Sequence, residues 1–158
     1  MGLMDAIKGA AQAVMNAVCD VNLELEMRYA YPGDKMTVWV NVRSKGTSAL
    51  TIGGVFVDLM ATEIVRLKAT APGMPDSIVL PAQHTFQQSF PLVMAFQLAP
   101  GERKEFKGEI QIPPTALPTY VGPRAEHTWA IRARADMAGN NDPESGWRPL
   151  QIASRPGF

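Results

Sequence analysis

The chain has 158 residues, with fifteen Lys plus Arg balanced by fifteen Asp plus Glu, and one cysteine. That length suits a single domain able to bury roughly 70% of the surface its unfolded form exposes, without help from disulfides. Both charge signs are spread along the chain, so no basic stripe is available for phosphate neutralisation and nucleic acid is not an expected partner. Cys19 is alone, which excludes an intrachain disulfide and a thiolate-rich metal site and points to a reducing, cytoplasmic setting.

The first segment has its own period. Leu3, Met4, Ile7, Ala10, Ala11, Val14, Met15 and Val18 recur at helical spacing, with Asp5, Lys8, Gln12 and Asn16 opposite, so residues 1–19 are predicted to form an amphipathic α-helix. Asp5 suits the positive end of the helix dipole, and Gly9 costs about 1 kcal/mol relative to Ala. The stretch is interrupted by charged and polar residues and falls short of the roughly 20 apolar residues a spanning helix needs. It lacks the basic start and pure apolar run of a secretory signal, and Ala6 stands where a myristoylation motif wants Ser or Thr. Its apolar stripe either covers an open edge of the domain or docks on a partner, a second copy or a membrane surface. The membrane is the least favoured, because Lys8 is the only cation and no aromatic anchor is present.

After Asp20 the period falls to two. Val21, Leu23, Leu25 and Met27 alternate with Asn22, Glu24, Glu26 and Arg28, and Tyr31-Pro32-Gly33-Asp34 turns the chain. Met36, Val38, Val40 and Val42 alternate with Thr37, Trp39, Asn41 and Arg43 in a second strand. Leu50 to Met60 reads as a third, running on through Val65 and Leu67, with a bulge or close backbone approach expected at Gly53-Gly54. Residues 68 to 83, with Pro72, Gly73, Pro75 and Pro81, read as a long surface loop. Further strands are expected from Phe86 to Leu98, Phe106 to Ile112, Thr128 to Met137 and Trp147 to Ile152. Seven or eight strands without a βαβ pattern predict an all-β fold, a two-sheet immunoglobulin-like sandwich over 20–153 followed by a tail at 154–158.

The order of features resembles arrestin-like domains. Tyr31-Pro32-Gly33-Asp34, a valine-rich strand and then Gly53-Gly54-Val55-Phe56-Val57-Asp58-Leu59 look like the opening of that family. Leu98-Ala99-Pro100-Gly101-Glu102, the strand to Ile112, the Pro113-Pro114 to Pro118-Thr119-Tyr120 crossing and the strand bearing Trp129 look like its second half. By this pattern the chain is similar to bacterial sporulation-control-type proteins, with arrestins and the arrestin-fold retromer subunit more distant. Those two-sandwich relatives are larger, and no counterpart of the buried charged cluster that gates visual arrestins is identifiable in the sequence. The resemblance implies an arrestin-like β-sandwich and a non-enzymatic scaffold or regulator.

A search for chemistry agrees with that implication. His84 and His127 sit in no metal-ligand spacing and read as surface or edge histidines. A nucleophile elbow, a Walker loop and a dinucleotide-binding glycine motif are absent, and Cys19 closes the apolar face of the predicted helix rather than sitting beside a base. Asp136, Asn140, Asp142 and Glu144 could supply oxygens to a hard cation, but Asn141-Asp142-Pro143 is also what a tight surface turn uses, and the turn is the preferred reading. Arg132 and Arg134 share one face of their strand with Asp136 and are expected to pair with acids there. No catalytic, cofactor or metal residue is therefore assigned.

The function expected is that of an adaptor that binds a protein partner through a sheet edge, loops or the helix. Self-association through the helix, as a structural or assembly component, is the alternative. Leu3, Met4 and Ile7 on the helix, Met74 in the long loop and Tyr120 in the crossing are the candidate contacts. Trp39 joins them because it lies opposite Met36, Val38 and Val40; cover by the helix is favoured over an exposed patch.

Overall fold

The structure is a computed structural model that describes residues 18–68, 72–73, 75, 77–138 and 142–156. Among the described residues ten strands follow in chain order: β1 (Cys19–Leu25), β2 (Tyr29–Ala30), β3 (Lys35–Ser44), β4 (Leu50–Lys68), β5 (Ser77–Val79), β6 (Gln83–Leu98), β7 (Arg103–Gln111), β8 (Tyr120–Val121), β9 (Ala125–Met137) and β10 (Arg148–Ile152). Seven of them are the strands that periodicity predicts. The other three, β2, β5 and β8, span only two or three residues and exist through their partners' register. β5 also places a short strand inside the stretch expected to be loop.

One expectation is corrected. Among the described residues the regular elements are strands alone, so the N-terminal amphipathic helix expected over 1–19 finds no support there. Cys19, expected to close the apolar face of that helix, instead opens β1 with its side chain fully buried. The strand wins there because Cys19 continues the alternation of Val21 and Leu23 and pairs with Ser44 of β3. Residues 1–17 of the expected helix, with Leu3, Met4 and Ile7, lie outside the described residues.

The strands form two sheets. The smaller has the order β1–β3–β7, all antiparallel. The larger runs β2–β10–β9–β4, with β6 and the short β5 along the other edge of β4, and β8 added to β9. The core lies between them: Leu23, Met36, Val38, Val40 and Ile110 from the small sheet meet Val57, Leu59, Ile131, Ala133 and Leu150 from the large one, all at most 2% exposed. Each fully buried Val, Leu or Ile side chain contributes about 1.5–3 kcal/mol, so the alternation in β1, β3 and β9 is what fixes the register of the sandwich.

Turn chemistry sets the joints. Gly33 has φ of 86°, a left-handed conformation that its lack of Cβ permits, and the Asp34 carboxylate accepts the Tyr31 amide at 2.9 Å across the same turn. The expected irregularity at Gly53-Gly54 is present as a register shift between Ile52 and Gly54 where β4 meets β9. A Cβ on Gly53 would lie 2.7 Å from an Asp136 carboxylate oxygen. β7 ends at Gln111 before Pro113 and Pro114, which have no amide hydrogen to continue a ladder. The crossing that follows is tied to the large sheet. The Trp129 indole N–H donates to the Leu117 carbonyl at 2.8 Å, and Thr119 and Ile152 exchange two bonds, one through the Thr119 hydroxyl.

Candidate functional site

β6 is the element with an unused side. It pairs with β4 from Leu50↔Leu98 to Glu63↔Gln83, and among the described residues no strand pairs with its second edge. Exposed edges are ordinarily protected by charge, proline or bulges, since their unpaired N–H and C=O groups accept another strand. β6 has sixteen residues and not one Asp, Glu, Lys or Arg.

Protection exists, and it is concentrated toward the C-terminal end. Pro91 removes one amide hydrogen, and the register shift from Val55↔Val93 to Phe56↔Pro91 leaves Leu92 as an extra, bulged residue. Leu92 packs on Gly108 of β7 so closely that a Cβ there would collide with its Cδ2 methyl. Lys104 of β7 then donates from Nζ to the Gln97 carbonyl at 3.2 Å and lies over the Phe96 ring. The run from Gln83 to Phe90 has a register irregularity at Thr85 and neither proline nor lysine. Phe86 and Phe90 are half-buried against the core, Phe86 tilted on Trp129 at 5.4 Å between centroids, while the other six residues of the run are exposed.

The outer face of the same sheet carries a charge network in which Arg132 and Arg134 pair with acids as expected, around a central Asp58 that the sequence did not point to. Asp58, 5% exposed, faces Arg132 and Arg134 of β9, whose Nε atoms lie 3.0 and 3.1 Å from its Oδ2. The Ser89 hydroxyl of β6 donates to its Oδ1 at 2.5 Å. Arg134 also pairs with Asp142 at 3.1 Å and Arg132 with Glu144, and the guanidiniums stack over Phe56 and Trp147 at 4.5 and 4.6 Å. The arginines and Asp142 and Glu144 were visible as neighbours in sequence. Asp58 was not assigned to them, although an acid inside an apolar strand, opposite an Arg-x-Arg pair of matching parity, was the available signal.

The same placement sets the oxygen-bearing side chains that a hard cation could have used against other partners. Asp142 and Glu144 turn to arginines, and Asp142 also accepts the Met137 amide at 3.2 Å; among the described residues no group of three His, Cys, Asp or Glu could hold a metal. Asn140 lies outside them. His84 is an exposed edge residue 3.3 Å from the Thr62 hydroxyl. His127 departs from the surface reading. It is 1% exposed, its Nδ1 donates to the Pro118 carbonyl at 3.2 Å, and Nε2 lies 2.9 Å from the Thr85 hydroxyl. Both partners are remote in sequence, so no local signal marked it. Burial, with the Asp20 charge adding to it, pushes the Cys19 thiol up to about 11, which leaves it protonated and unreactive near neutrality.

The other candidate contacts are not brought together. Trp39 is half-buried on the outer face of the small sheet, between Glu24 and Lys107 in register, with the Lys107 ammonium 5.8 Å from its ring centroid. Tyr120 lies on the large sheet, 40% exposed. It is stacked on His127 at 6.0 Å, and its hydroxyl donates to Glu63 at 3.0 Å, which raises its pKa. Met74 falls outside the described residues, as do Leu3, Met4 and Ile7. A cleft of about 520 Å³ lined by Glu24, Leu25, Arg28, Arg148 and Pro149 opens between the sheets at the β1 side. Arg148 there is held by Asn22 at 3.1 Å. No helix among the described residues is long and apolar enough to cross a membrane.

No family model matches the chain, and no curated protein matches its sequence. Solved structures do. Spo0M, the sporulation control protein of Bacillus subtilis, superposes with a TM-score of 0.61 at 20% identity over 85% of this chain and 49% of its own. The alkylpurine DNA glycosylase AlkC of Pseudomonas fluorescens, solved bound to DNA containing an abasic site analog, superposes with a TM-score of 0.50 at 17% identity over 95% of this chain and 35% of its own. The chain thus spans about half the length of the first of these and a smaller share of the second. At these identities the likeness is one of fold, and the fold is Spo0M-like.

Proposed function

We propose that this protein is a non-enzymatic, arrestin-like scaffold that binds a protein partner by strand addition to the free edge of β6. The observation that carries the reading is the run from Gln83 to Phe90, without Asp, Glu, Lys or Arg and paired on one side only among the described residues. Main-chain hydrogen bonds supply affinity in that mode, and the alternating side chains supply selectivity. The groups that could do chemistry are committed elsewhere: the Cys19 thiol is held protonated, and both ring nitrogens of His127 have partners. A regulatory role accords with the Spo0M-like fold, and a cytoplasmic setting suits a lone buried thiol. Balanced charge favours a protein over nucleic acid as the partner.

The test is affinity capture from a native lysate, with wild type and Gln87→Lys as parallel baits. Gln87 is exposed, so the lysine alters the edge without disturbing the core. Loss of a specific captured protein with Gln87→Lys is the expected result. Identical capture by both baits would refute the edge reading.

A further inference from the structure

We infer that the strand added to β6 is β6 of a second copy of this chain, so that two large sheets join edge to edge about a two-fold axis. This rests on the edge reading above and names its partner. In an isologous contact residue i of one copy meets residue j of the other and j meets i, so a charge near the two-fold axis meets its own copy. A charged edge strand can therefore repel itself about that axis. β6 escapes that restriction, since no residue from Gln83 to Leu98 is Asp, Glu, Lys or Arg and an antiparallel pairing of the strand against itself sets no such charge against its copy. The equal counts of acidic and basic residues add no long-range repulsion between copies.

The protective devices also divide the strand in a way that suits self-pairing. Pro91, the bulge at Leu92 and the Lys104 ammonium on the Gln97 carbonyl close the second half, where β7 already crowds the edge. The regular run between the irregularity at Thr85 and Pro91, Phe86 to Phe90, is five residues, about 17 Å of strand at 3.4 Å per residue. Gln87 and Gln88 lie near its middle. A centred antiparallel pairing therefore brings Gln87 within a residue or two of its counterpart, and their neutral amides can donate and accept across the axis. Phe86 and Phe90 face the core in each copy, so the joined edge needs no apolar surface to be uncovered.

The experiment is sedimentation equilibrium on the full chain over a dilution series, with Gln87→Lys, Gln87→Glu and an equimolar mixture of the two. Wild type is expected to be a dimer that dissociates on dilution. Each charged variant should weaken it about tenfold or more by setting like charges across the axis, and the mixture should restore dimers as Lys meets Glu. Hydrogen exchange of wild type supplies a check independent of the variants: amides between Gln83 and Phe90 should slow as concentration rises. A wild type that stays monomeric to about millimolar concentration, or a dimer that both variants leave intact, overturns the proposal. A monomer whose capture of another protein is still lost with Gln87→Lys refutes self-pairing while leaving the edge reading standing. Capture and dimerisation both indifferent to Gln87 refute the two together.

Discussion

Removing the Asp58 carboxylate tests whether the charge network holds the large sheet or merely decorates it. In Asp58→Ala, Arg132 and Arg134 lose their shared acceptor while their side chains remain only 27% and 23% exposed. Stranding a buried charge costs about 3–5 kcal/mol. Here Glu144 and Asp142 still hold the two guanidiniums and water reaches a quarter of each, which lowers the cost to about 2 kcal/mol. The Ser89 hydroxyl also loses its acceptor, for about 1 kcal/mol. The expected loss is therefore about 2–3 kcal/mol, or a fall in Tm of about 4–12 °C for a domain of this size. Urea unfolding followed by tryptophan fluorescence measures it, and Asp58→Asn, which retains an acceptor for Ser89, should lose roughly half as much. A double-mutant cycle with Arg134→Met should show coupling of about 0.5–3 kcal/mol. If Asp58→Ala costs less than about 0.5 kcal/mol, the range of an ordinary surface change, the network contributes nothing and the reasoning is wrong.

Three further outcomes follow from packing and burial. Gly108→Ala should destabilise by about 1–3 kcal/mol through overpacking against Leu92, and adding Leu92→Ala should recover part of that loss; strict additivity in denaturant unfolding would contradict the described contact. Because the Cys19 thiol is raised from 9.0 to about 11 in the fold, the stability it contributes is full below pH 9 and lost as pH climbs toward 11. The stability difference between wild type and Cys19→Ala should accordingly shrink across that window, and a constant difference would refute the burial. Trp129→Ala, which empties the site against Phe86 and releases the Leu117 carbonyl, should cost about 3–5 kcal/mol by the same unfolding assay.

Much of the sandwich was legible because one buried face imposes a period of two. β1, β3, β7 and β9 each follow it, and Pro113 and Pro114 mark where β7 stops. The short strands β2, β5 and β8 were not legible, since two residues carry no period and their pairing depends on distant partners. The same holds for His127: its environment is made by Thr85 and Pro118, which only the folded register brings near. Asp58 was half legible, because its parity against Arg132 and Arg134 could be read but the pairing of β4 with β9 could not. Cys19 was misassigned because an apolar residue at a boundary satisfies helical and strand periods equally well, and the pairing with Ser44 decides it. The open side of β6 follows from strand order, which no local pattern encodes.

The parallel pair of β2 with β10 has a kinetic consequence. Tyr29 and Ala30 meet Gln151 and Ile152 across about 120 positions of chain, and β3 with β7 and β4 with β9 also close long loops. Contacts of this kind must be found by diffusion before they stabilise anything, so folding should take milliseconds to seconds rather than microseconds. Until β10 has been synthesised β2 has no ladder to join, and the uncharged length of β6 waits in solution beside a half-built sheet. The moments after dilution from denaturant, or the seconds behind a ribosome, are when that strand is most exposed to the wrong neighbour.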